Sequence, residues 1–184
     1  FFTLWKPRGN RSQLWALQGK KETTGMMEVK ALLAKGFSSY RVDQLLSFLG
    51  HADRRIRLES QFELANRKET KSLRAKAIDS KSALLPRLHA LWGLGQLKAR
   101  DRDLLKLICQ DKDAEMRAQA ARWAGDLGFD PDNLIPGLLR DPSPRVRLMA
   151  GIACGKLRSR EALEPLTKLI VNAGNKETVL RHAG

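Results

Sequence analysis

Arg57, Arg87, Arg117 and Arg147 follow one another at intervals of thirty residues, and their surroundings keep the same interval. Nine residues before each arginine stands Phe48, Ile78, Ile108 or Leu138. One residue after it comes Leu58, Leu88, Ala118 or Leu148, and three after it Ser60, Ala90, Ala120 or Ala150. Eight after it comes Ala65, Gly95, Gly125 or Gly155. Chance does not hold five columns in phase over four periods. Self-similarity at such a period predicts an array of repeated supersecondary units, each too small to bury its own apolar sides alone.

Apolar residues spaced at three and four, with polar turns between the runs, make each unit a pair of helices. The predicted first helices are Val42–Leu49, Lys71–Ile78, Asp103–Cys109, Asn133–Leu139 and Glu161–Val171. The second helices are Arg54–Arg67, Leu85–Leu97, Ala114–Leu127, Pro144–Leu157 and a truncated one from Thr178. Pro86, Pro136, Pro144 and Pro165 all fall in first turns, where a missing N–H costs nothing. The fifth unit inserts about three residues in its turn before Arg181, where added length is cheap. The small column at Ala65, Gly95, Gly125 and Gly155, beside the alanines at 90, 120 and 150, predicts a flat seam for the next unit to stack on.

Residues 1–23 stand outside the repeat. Phe1 to Trp5 and Ser12 to Leu17 read as two short β-prone runs separated by the turn chemistry of Lys6 to Asn10. Two such strands alone are not stable in water. Residues 24–41 supply a lead-in helix, Met26 to Lys35, stopped by Gly36, and residues 42–184 the array, its last repeat truncated. The chain begins without Met and stops inside a repeat at Gly184, so the expectation is a segment of a longer protein. No apolar run is long enough to span a bilayer, which argues against membrane insertion by this segment.

The net charge of +14 raises the question of a nucleic-acid partner. Residues 1–44 hold eight Lys/Arg against three acids, and 45–100 hold twelve against five. Residues 101–184 hold fourteen against twelve, so the excess is scattered through the N-terminal half. Cys109 and Cys154 occupy different repeat positions and read as buried thiols with no disulfide between them.

Asp111 and Arg117, like Asp141 and Arg147, are six apart across the turn between helices. This resembles the aspartate–arginine ladder of HEAT repeats in their short, thirty-residue form, with Arg57 and Arg87 as further rungs. His51, Lys81 and Asn175 occupy the aspartate position in the other three units. The resemblance implies an all-α fold: a right-handed α-solenoid of about five helix pairs whose second helices line the concave surface. The stretches 49–65, 86–97 and 180–184 are further similar to the membrane-bound dehydrogenase-type proteins of planctomycetes and verrucomicrobia. There a sugar-dehydrogenase-like β-propeller precedes the repeats and a cytochrome-c-like domain often follows. On that resemblance residues 1–23 are the last strands of a propeller, and the compartment is periplasmic or membrane-associated. Cys-x-x-Cys-His is absent here, so this segment carries no cofactor, and haem c or a quinone cofactor belongs elsewhere in the parent.

There is no His-Glu-x-x-His, glycine-rich phosphate loop or G-x-S-x-G in the chain, and the three histidines sit at different repeat positions. Neither a catalytic nor a metal site is expected. Helical periodicity predicts that positions two, six and nine after each register arginine face outward. That stripe holds Glu59, Glu63 and Asn66; His89, Gly93 and Gln96; Gln119, Trp123 and Asp126; Met149, Ala153 and Lys156. Trp123 is read either as a partner contact or as a residue covered by the next helix. Trp92 shares its column with Phe62 and Ile152 and reads as core, whereas the charge of Arg122 in that column breaks the pattern. Candidate binding residues are therefore His89, Gln96, Gln119, Arg122 and Trp123.

The leading expectation is a protein-interaction scaffold, not itself catalytic, within a larger oxidoreductase of the dehydrogenase type. Its partner is protein: the parent's own propeller or cytochrome domain, or another chain. The alternatives are a basic nucleic-acid binder similar to HEAT-like DNA glycosylases, and a general docking array. Glu59, Glu63 and Asp126 on the expected concave stripe weigh against phosphate.

Overall fold

A computed structural model describes residues 24–173. They are helical, with no strand among them. The predicted strands in residues 1–23, the truncated helix from Thr178, and His182 lie outside the described residues. The chain divides between Gly36 and Phe37 into two units. In the first, helix α1 (Thr24–Lys35) buries Val29 and exposes Met26 and Met27. It ends where Gly36 takes φ +74, a conformation that glycine adopts without a side-chain clash.

The second unit contains α2 (Val42–Phe48), α3 (Arg54–Asn66), α4 (Thr70–Ile78), α5 (Leu84–Gln96), α6 (Arg102–Cys109) and α7 (Ala114–Leu127). A 3-10 segment (Ile135–Arg140), α8 (Pro144–Leu157) and α9 (Leu163–Ala173) follow. Each register arginine is the fourth residue of its helix, and the four prolines all sit in first turns. Within pairs, α2 packs on α3, α4 on α5, α6 on α7 and the 3-10 segment on α8. Between pairs, α3 meets α5, α5 meets α7, and α7 meets α8. First helices touch likewise, α2 with α4 and α4 with α6. Ala90, Ala120 and Ala150 are fully buried in this packing. Ser60, in the same column, is also fully buried and returns its hydroxyl to the Ile56 carbonyl at 2.8 Å.

One predicted α-helix is a correction. The stretch Asn133–Leu139 forms the tighter 3-10 segment at Ile135–Arg140. Pro136 removes a donor from its start and Gly137 follows, so α-helical bonding gains little over so short a run. The Asp130 carboxylate instead accepts from the Leu134 and Ile135 amides at 2.8 and 3.0 Å.

A further column keeps the thirty-residue phase where the sequence conceals it. Lys68, Lys98, Gly128 and Arg158 all adopt φ between 51 and 58. At each, the next residue's N–H reaches five residues back, as in Ala99 to Leu94 at 3.1 Å and Ser159 to Cys154 at 3.1 Å. These are Schellman closures of the second helices, which satisfy otherwise orphaned carbonyls. Only the third unit uses the glycine that makes such a closure easy to read.

Candidate interaction groove on the second helices

The second helices are joined by a relay of polar side chains. From α3, Arg57 Nε–H donates to His89 Nε2 on α5 at 3.1 Å, while His89 Nδ1 meets Gln61 Oε1 of α3 at 2.8 Å. The Trp92 ring stands edge-on to His89, with centroids 4.9 Å apart, and its Nε1–H donates to Gln119 Oε1 on α7 at 2.9 Å. Gln119 Nε2–H donates to Glu115 Oε1 at 2.8 Å, and Glu115 pairs with Arg145 of α8. Four helices are thus linked through neutral and charged hydrogen bonds whose donors and acceptors match.

His89 and Gln119 are 3% and 5% exposed, which corrects the expectation that they face outward. Trp123, at 5%, is largely covered as well. Gly93 and Ala153 of the same stripe are also buried. The cause is that each second helix packs against the next, and positions two and six after the arginine meet that neighbour. On α3 the stripe keeps Glu59 and Asn66 exposed, and position nine is exposed throughout, at Asn66, Gln96, Asp126 and Lys156.

The outward position is the fifth after the arginine. Phe62 is 40% and Ile152 39% exposed, Arg122 is exposed and Trp92 half-buried, so Trp92 is not the core residue expected. Three apolar side chains disguised this column, and the charge of Arg122 was the one signal that betrayed it. With Arg54, Leu85, Gln96 and Trp123, the column's Phe62, Trp92 and Arg122 line a groove of about 600 Å³ across α3, α5 and α7. That volume falls in the range of natural ligand sites. Asp126 at its edge is engaged by Arg122 at 3.4 Å and by Lys156 at 2.5 Å. All five candidate residues line the groove, and His89 and Gln119 also fasten its walls through the relay.

Burial, and then the charges of Arg57 and Arg54, push His89 down to about 4 from its ordinary 6.5. The neutral ring is the form the relay requires, since Nε2 must accept from Arg57. An unfolded chain takes up this proton near pH 6.5 and the folded one only near 4, so stability falls as pH drops through that window. The expected loss at pH 4, reduced for solvent at the groove mouth, is about 1–2 kcal/mol. Urea unfolding between pH 7 and 4 measures it, and His89→Asn is expected to flatten that slope.

The two thiols take no part. Burial raises Cys109 to about 12 and Cys154 to about 11, with the charge of Asp130 adding to both. Among the described residues no three of His, Cys, Asp and Glu gather as metal ligands would, and no helix is long and apolar enough to cross a membrane.

Two register arginines pair with aspartates, but not with those six residues before them. Arg117 grips Asp141 of the following unit with Nε and Nη2 at 2.7 and 2.9 Å, and Arg87 likewise pairs with Asp111. The six-residue spacing is satisfied by backbone instead. Arg57, Arg117 and Arg147 donate through Nη1 to the carbonyls of His51, Asp111 and Asp141 at 2.7, 2.8 and 3.0 Å. Lys81 stands where Arg57 would find its aspartate, and the arginine turns to His89. No family model matches the chain, and no curated protein matches it either.

Proposed function

We propose that residues 42–184 are a HEAT-like right-handed α-solenoid of about five helix pairs, acting as a protein-docking module without catalysis of its own. The carrying observation is the second-helix face: an open groove with an apolar column, on helices pinned together by a hydrogen-bond relay. A rigid face bearing exposed aromatic side chains suits recognition, because little side-chain freedom is lost when a partner settles on it. The thirty-residue period and the Arg–Asp pairs between units support the HEAT-like reading. The similarity to dehydrogenase-type proteins adds a setting in which the module holds a redox partner, or the parent's own cytochrome domain, beside a propeller. That setting requires a propeller upstream and Cys-x-x-Cys-His downstream in the parent gene.

Selection of a random peptide display library on the chain, with amide exchange of the complexes recovered, tests the docking role. Protection concentrated on α3, α5 and α7 is the expected result. Recovery of no binder, or protection confined to first helices, overturns it. Tight binding of a labelled DNA duplex at about 50 mM salt, falling steeply as salt rises, would replace it with nucleic-acid recognition.

A further inference from the structure

Every buried side-chain nitrogen and oxygen among the described residues has a hydrogen-bond partner except one, Trp123 Nε1. An indole N–H has no acceptor capacity, and burying it unmatched is costly enough that natural structures seldom do so. Its neighbour Trp92 shows how the fold meets the same need, through Gln119 at 2.9 Å. Trp123 has no such side chain within reach. It lies against Gly95, where even an added Cβ would stand 3.5 Å from Cδ1 and 3.9 Å from Nε1. Both residues line the groove, so a molecule resting there can bring the missing acceptor to the indole.

The rest of the lining specifies what that molecule is. Phe62 and Leu85, 40% and 37% exposed, and the half-buried Trp92 offer apolar contact. The charged lining is Arg54, Arg57 and Arg122 against Asp126 alone, whose carboxylate is already held by Arg122 and Lys156. Arg54 is exposed at the groove and has no ion-pair partner among the described residues. Donors and positive charge thus outweigh acceptors. Helices packed side by side lie about 8–10 Å apart, so crossing three of them takes roughly 20 Å, the length of about six extended residues.

We infer that this groove receives an extended peptide segment of a partner protein, about six residues long, combining apolar and acidic side chains. One main-chain carbonyl accepts from Trp123 Nε1, an apolar side chain lies on Trp92 and Phe62, and a carboxylate meets Arg54. An extended backbone presents a carbonyl at every residue, which suits a single fixed donor in the groove floor. The inference rests on the docking role proposed above and names its ligand.

The test uses the peptides selected on the chain. The expected sequences carry Asp or Glu within one or two positions of Leu, Phe or Tyr. A fluorescein-labelled synthetic consensus is expected to lose about tenfold in affinity to Trp123→Phe, which keeps the ring and removes the donor, and as much to Arg54→Glu. Arg102→Gln, on α6 away from the groove, leaves it unchanged. Circular dichroism checks that each variant folds, and the surface change Arg54→Glu decides alone if Trp123→Phe does not. Neutral or basic consensus sequences, or affinity unaltered by both groove variants, overturn the inference while protected second helices still uphold docking. Recovery of no peptide at all overturns both.

Discussion

Arg117→Ala is expected to lower stability by about 3 kcal/mol, measured by urea unfolding at pH 7. The guanidinium holds Asp141 with two bonds, at 2.7 and 2.9 Å, and ties down the carbonyls of Asp111 and Lys112 at 2.8 and 3.2 Å. The Asp141 side chain is only 6% exposed. Removing the arginine strands that carboxylate in a site where one amide, Ser143 N–H at 2.8 Å, remains to satisfy it. An unpaired buried charge costs more than the pair itself contributes, so the loss exceeds that of an exposed ion pair. The effect also carries a pH signature. The hydrogen bond from Arg117 outweighs burial and holds the Asp141 carboxyl below its ordinary value. The stability that this pairing gives is present above the unfolded carboxylate range and lost as pH falls through the folded value. The gap between wild type and Arg117→Ala should therefore close in acid, where the stranded carboxyl takes up a proton. A gap that stays constant, or no gap at pH 7, would show that the rung carries no coupling between units.

Gly125→Ala is expected to destabilise by about 2 kcal/mol, although alanine is the better helix former by about 1 kcal/mol. A Cβ at 125 would stand 2.9 Å from the Ala153 Cα and 3.0 Å from its Cβ. The nearer atom is backbone, so α8 as a whole must move away from α7, and a packed interface resists that. Gly155, thirty residues on in the same column, has nothing within 4 Å of its built Cβ. There the propensity gain is unopposed, and Gly155→Ala is expected to stabilise by about 0.5–1 kcal/mol. Opposite signs at equivalent positions, read from thermal or urea unfolding, would separate close packing from repeat identity. Equal signs would sink the argument.

Those two glycines mark where sequence reasoning stops. The column suggested a common seam for stacking, yet only Gly125 is pressed by a neighbour, and Gly95 sits at ordinary contact distance from Trp123. Distance to the next helix depends on how each pair is rotated and spaced, and a repeated residue type does not encode that. The groove was half-legible for the same reason. Gln96, Arg122 and Trp123 were singled out from the sequence and do line it. Phe62 and Trp92 were missed because apolar side chains on a helix read as core. Moving the outward face from the sixth to the fifth position turns a helix by about 100°, a difference that single-helix periodicity cannot resolve when two faces of a helix are covered.

The sequence by itself determined the period, the helix pairs, the register arginines as fourth residues of second helices, and the prolines in first turns. Each follows from interactions within a few residues: apolar spacing, backbone donors, and turn chemistry. Only the tertiary structure decided which aspartate answers which arginine. The spacing of six pointed to the aspartate of the same turn, yet the guanidinium takes that residue's carbonyl and reaches a carboxylate twenty-four residues ahead. A side chain at a helix start has its own turn on one side and the neighbouring unit's turn on the other, and only packing brings the second within 3 Å. The same packing buried His89 and Gln119, left Trp123 Nε1 without an acceptor, and opened the groove beside it.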